Sequence, residues 1–143
     1  MNPARGFGRG RGIGSRAVVG RVQMELSEQI QSVIGGFAGY QDEEHRRISD
    51  EQIRAFVGER LVALPAATVD ALSGAELERY EKLLMRCEFV NQLAFTRFKD
   101  ATAQGWIDAV AAADLRLVSA AQTGDLAQIE SAFDGRDAAM QNA

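Results

Sequence analysis

Past Pro3 a single proline, Pro65, interrupts this chain of 143 residues, and that scarcity constrains its fold more than any motif it carries. Alanine, leucine, glutamine and glutamate dominate the later sequence, so with almost no obligatory breaker the default conformation is helix. At 143 residues the chain fits one domain, large enough to bury a real core. Hydrophobic content of 46% and charged content of 25% are globular values. The expected fold is all-α: a compact bundle of four to six helices preceded by a flexible basic tail.

The tail, residues 1–23, is set apart by composition. Every second residue from Gly6 to Gly14 is glycine, whose ordering costs the most backbone entropy. Up to Met24 there are five arginines and no carboxylate, so the tail holds +5 of a net charge of -4 and the remainder stands at about -9. Arg5, Arg9, Arg11 and Arg16, with Phe7 available to stack on a base, form a candidate phosphate-backbone grip like the arginine-glycine segments of RNA-binding proteins. The alternatives are a solvated tail without a partner and a translation start at Met24. Neither a G-x-G-x-x-G pattern nor a Walker lysine is present, which argues against a phosphate loop.

Residues 24–143 read as one helical domain. Val18 to Leu26 reads as the lead-in to a first helix, which runs from Glu25 through Leu26, Ile30, Val33, Ile34 and Phe37 and is loosened by Gly35, Gly36 and Gly39. A charged connection, residues 41–47, leads to Ser49, which has Gln52 in capping-box register and Asp50 and Glu51 placed to favour a helix start. That second helix carries Ile53, Phe56, Val57, Leu61 and Leu64 on one face and stops at Pro65. A short turn over 66–72 and a capping box at Ser73 and Glu76 precede an expected long helix over about 75–102.

Between Leu83 and Phe98 apolar side chains spread around most of that helix, as in one buried on most sides or one serving a partner. Phe89, Phe95 and Phe98, with Asn91 setting register, are the candidate interface. Gly105 breaks the pattern, and a further helix runs from Trp106 to about Ala121. Gly124 then Asp125 supply a helix stop followed by an N-cap, and a last helix over 126–133 is closed by Asp134 and Gly135.

Two local resemblances bear on this reading. Ser119 to Ile129 resembles the inter-helix piece of an ankyrin repeat; it occurs once and lacks the Thr-Pro-Leu-His opening, so it implies a helical hairpin and not a repeat array. Leu72 to Leu84 is similar to the helix-start pattern of small helical assembly factors, including the succinate dehydrogenase flavinylation factors. Their arginine-glycine signature helix is absent here, and no function carries over.

Candidate chemistry is sparse. The one cysteine, Cys87, excludes an intramolecular disulfide and a multi-cysteine zinc site, and it aligns with Leu77, Tyr80 and Leu84 on an apolar face. The one histidine, His45, reads as a solvated linker residue, and di-iron carboxylate bundles need two. Apolar runs fall short of the roughly eighteen residues of a membrane span. The expectation is therefore a cytoplasmic, non-enzymatic interaction, assembly or adaptor protein without metal or cofactor. Its expected partner is another protein or a second copy. A nucleic-acid-associated coat or scaffold role through the arginine tail is the alternative, and a bundle enclosing an apolar ligand beside Met85, Phe89 and Trp106 is a third.

Overall fold

A computed structural model describes residues 13–142, with side chains from residue 21 onward. It is all-helical there: α1 (Ile13–Gln31), α2 (Glu43–Val62), α3 (Ala66–Asp70), α4 (Gly74–Glu88), α5 (Gln92–Phe98), α6 (Gln104–Thr123) and α7 (Leu126–Gln141). α3 and α5 are short, at five and seven residues; α3 has no buried residue, whereas α5 packs on α7 and buries Ala94 and Phe98.

α6 is the central element, in contact with α1, α2 and α7, while α4 bridges α2 and α7 and α5 leans on α7. The helix buried on most sides is thus α6 and not the stretch from Leu83 to Phe98. Of its nine buried residues, four are alanines: Ala111, Ala113, Ala120 and Ala121. Small side chains let neighbouring backbones approach closely, so a helix with few bulky residues becomes the hub. Around it Ile30, Ile53, Val57, Leu61, Leu83, Phe98, Ile129 and Met140 join its own Leu117 in one continuous core.

Several boundaries differ from the sequence-based expectation. α1 begins at Ile13, inside the stretch assigned to the tail; Val22, Leu26 and Ile30 continue an i, i+4 stripe in which Leu26 and Ile30 reach the core. α2 begins at Glu43, because Asp42 is the N-cap and accepts from the His45 backbone N–H at 2.9 Å. Ser49 lies within the helix and donates to the Gly39 carbonyl at 2.6 Å. Gln52 braces the same loop, accepting from Ala38 N at 2.8 Å and donating to Gly36 O at 2.9 Å. The capping-box pattern at Ser49 and Gln52 is therefore a loop clamp, which holds Gly36 and Gly39 at φ 79° and 85°.

At the other end, Gly124 closes α6 at φ 72° and Asp125 caps α7 by accepting from Gln128 N at 3.1 Å, as the Gly-Asp pair predicts. The α6–α7 hairpin implied by residues 119–129 is present. Gly135 does not end α7, which continues to Gln141 because Arg136 and Met140 on its next turns are both buried. Gly105 likewise sits inside the first turn of α6.

Candidate functional site

The expected long helix over 75–102 is two helices joined at an extended corner, residues 89–91. Phe89 has φ -116° and ψ 132°, and Asn91 has φ -76° and ψ 94°. No proline or glycine stands there; polar side chains satisfy the freed backbone groups instead. Arg54 of α2 donates through Nη1 to the carbonyls of Cys87 at 3.1 Å and Glu88 at 3.4 Å, a cation at the C-terminal end of α4. Asn91 caps α5 by accepting from Ala94 N at 3.1 Å, and its amide donates to Asp137 Oδ2, also at 3.1 Å.

The corner sorts the four candidate interface residues. Phe98 is 1% exposed and belongs to the core. It stacks edge-on between Tyr40, 6.4 Å away, and Trp106, 6.2 Å away, with the Arg46 guanidinium 5.8 Å from its ring centre. Its assignment to an exposed face is corrected: the change of direction at Asn91 turns Ala94 and Phe98 inward. Phe95 is half-buried against the core. Asn91 is a helix cap braced to α7 rather than a register device on a helix face. Phe89 alone remains a large exposed aromatic, at 63%, and it is flanked by Met85 at 59% and by Leu93 at 73%, which the sequence reading passed over as an interface residue.

Beneath the corner lies an open cleft of about 260 Å³. Its apolar walls are Met85 and Phe89 from the corner side and Phe133 and Met140 from α7. Trp106 is not among them; its indole N–H donates to Ala139 O at 2.8 Å. The apolar enclosure expected beside Met85, Phe89 and Trp106 is thus a half-open groove without the tryptophan.

The floor of the cleft is a buried charge network. Arg136 of α7 donates through Nε to Asp114 of α6 and through Nη2 to Asp50 of α2 at 2.7 Å. Asp50 also receives Arg54 Nε at 3.0 Å, and Asp114 receives the Tyr40 hydroxyl at 2.6 Å. Two guanidinium groups thus balance two carboxylates, and every carboxylate oxygen is engaged, which is what allows charges at this depth. Burial opposes the charge on Arg136, but Asp114 and Asp50 outweigh it and keep the group protonated. Burial likewise pushes the Asp114 carboxyl up, against the pull of Arg136 and Tyr40. Arg86 extends the network outward, bonded to Asp134 at 2.9 Å and Asp137 at 3.0 Å, with its guanidinium 4.7 Å from the Phe133 ring centre. Of these polar residues only Asp50 carried a signal in the sequence, as a carboxylate at an expected helix start; it lies instead inside α2 and is buried.

Arg5, Phe7, Arg9 and Arg11 lie outside the described residues; Arg16 falls on α1, with its side chain outside those described. His45 is in the first turn of α2, its Nδ1 2.7 Å from Asp42 Oδ1. Cys87 is half-buried, and burial pushes its thiol up to about 11 although Arg54 and Arg86 pull the other way. It stays protonated at neutral pH and is a poor nucleophile there. Among the described residues no three His, Cys, Asp or Glu side chains gather where they could hold a metal ion, and no helix is long and apolar enough to cross a membrane. No protein-family model, curated protein or solved structure matches this chain.

The buried thiol and the buried phenol give one pH prediction. Cys87 is raised from an ordinary value near 9 to about 11, and desolvation together with Asp114 raises Tyr40 well above 10. A raised folded-state value means that the unfolded chain releases its proton first as pH rises. The stabilisation is therefore intact below pH 9 and is lost through about pH 11, then further as Tyr40 is drawn into ionisation. Urea midpoints should fall between pH 9 and 11, and Cys87→Ala should flatten the part of that decline which begins near pH 9. An unchanged profile in the variant would assign the decline elsewhere.

Proposed function

We propose that the chain is a non-enzymatic helical interaction protein whose contact surface is the α4–α5 corner, and that its simplest partner is a second copy of itself. The observation that carries this reading is the clustering of Met85, Phe89 and Leu93, all more than half exposed, within nine residues at a sharply turned and internally braced corner. Apolar groups concentrated in this way mark association surfaces, whereas scattered ones do not. Phe89 lines a recess while most of its ring stands exposed, and Leu93 is exposed four residues on; a two-fold contact requires a self-complementary patch of this kind. Its rim mixes signs, with Glu88, Arg97, Arg86 and Asp134 close in sequence or space, so a copy facing itself meets no single-sign repulsion. The half-buried free thiol of Cys87 suits a reducing compartment such as the cytoplasm.

Phe89→Asp combined with Leu93→Asp places two like charges on each side of such a contact. Sedimentation equilibrium should show the variant as monomer at concentrations where the parent chain is dimeric, an affinity loss of at least a hundredfold, with an unchanged circular dichroism spectrum. Equal association by the two proteins would remove the corner from the interface. Deleting residues 1–12 should leave the association intact; loss of dimer on deletion would favour a role for the arginine tail instead.

A further inference from the structure

The cleft under the corner is asymmetric in its spare hydrogen-bonding capacity. Three arginines line it, and each keeps a nitrogen that makes no hydrogen bond to the described residues: Nη1 of Arg136, Nη2 of Arg54 and Nε of Arg86. Acceptors are scarcer. Asp50 spends one oxygen on Arg136 and the other on Arg54, while Asp137 uses Oδ2 for both Arg86 and Asn91 and keeps only Oδ1. The charged lining is thus three guanidinium groups and two carboxylates; Asp114 and Asp134, bonded to Arg136 and Arg86 from outside the lining, bring the carboxylates to four, so the excess is of donor nitrogens and not of positive charge. Arg136 is only 3% exposed, so an acceptor reaching Nη1 meets a cation with little water to screen it. Its Nε and Nη2 lie along one edge of the planar group and are held by Asp114 and Asp50, which fixes the direction of the remaining nitrogen without further ordering cost.

The walls ask for something else. Met85 and Phe89 offer exposed thioether and aromatic surface that adapts to an apolar group, backed by the nearly buried Phe133 and Met140. At about 260 Å³ the space is just below the range of about 300–1,000 Å³ usual for small-molecule pockets, so the occupant is small.

We propose that this cleft binds a small carboxylate carried on an apolar body, its head on Arg136 Nη1 with support from Arg54 and Arg86 and its tail between Met85, Phe89, Phe133 and Met140. Every lining group belongs to one chain, and two of them, Met85 and Phe89, are shared with the proposed association surface, so a ligand in the cleft and a second copy on the corner compete.

Sodium octanoate is a suitable probe, titrated into the isotope-labelled full chain and followed by amide and methyl chemical shifts. Saturable shifts should centre on the cleft, with octanoate binding at least tenfold more tightly than octan-1-ol and with no saturable site for octylammonium. Arg136→Lys, which keeps the charge but loses Nη1, should weaken octanoate at least tenfold. If that variant does not fold, the three-probe comparison on the parent chain decides alone. In Leu93→Asp, whose side chain does not line the cleft, octanoate should bind at least as tightly as in the parent even as self-association weakens. Octanol binding as tightly as octanoate, or shifts spread over the surface without saturation, would overturn the proposal.

Discussion

Arg136→Met should be among the most damaging single substitutions, lowering stability by about 3–5 kcal/mol, because it strands Asp114 and half-strands Asp50 in the interior. For a chain of this length that corresponds to a fall in melting temperature of roughly 10 °C or more. The damage comes from leaving carboxylates unpaired and not from any large intrinsic worth of the ion pair, and this has two measurable consequences. First, acidification should narrow the gap between variant and parent: burial already pushes Asp114 up, and without Arg136 its carboxyl is free to protonate at mildly acidic pH. Second, Asp114→Asn should cost much less in the Arg136→Met background than in the parent, a coupling that a double-mutant cycle by urea unfolding would read directly. Additive costs would show that the network is not a single unit.

Phe98→Ala should cost about 3–5 kcal/mol, the usual range for deleting a fully buried aromatic side chain. Three neighbours lose a partner at once, since Phe98 links the Tyr40 and Trp106 rings and lies under Arg46. Phe89→Ala, nine residues earlier on the same expected helix, should change stability by no more than about 0.5 kcal/mol, as exposed positions generally do. Thermal melts of the two variants side by side separate core from surface. Equal destabilisation would mean that the corner is packed far more deeply than the 63% exposure of Phe89 implies.

That contrast shows where the sequence was legible. The all-helical character followed from composition and periodicity, and the stop at Gly124 with the cap at Asp125 came from residues whose local chemistry acts alone. Where tertiary partners decided, local signals misled. Ser49 and Gln52 carry a capping-box spacing, yet Asp42, seven residues earlier, takes the cap, and the pair clamps the preceding loop. The break at residues 89–91 has no breaker in it; it exists because Arg54, 35 residues before Phe89, and Asn91 satisfy the opened backbone. A continuous apolar pattern therefore hid a corner, and with it the division of Phe89 from Phe98.

The candidate site was less legible than the fold. Phe89 and Asn91, interface candidates on an expected continuous helix, stand at a corner instead, and Leu93 and Met85 look in the sequence like parts of an all-round apolar helix. Asp50, Asp114 and Arg136 lie 64 and 22 residues apart along the chain, and each looks like an ordinary charged helix position. One signal could have hinted at them: Asp114 stands in an alanine- and leucine-rich stretch, 110–118, where its only charged neighbour is Arg116. A carboxylate there needs a cation from elsewhere in the fold.

The most direct test of the account is the solution mass of the full chain, measured by sedimentation equilibrium over a wide concentration range. The corner surface predicts a reversible shift from the 15.5 kDa monomer to a species of twice that mass, abolished by Phe89→Asp with Leu93→Asp. A single monomer mass up to millimolar concentration would contradict it.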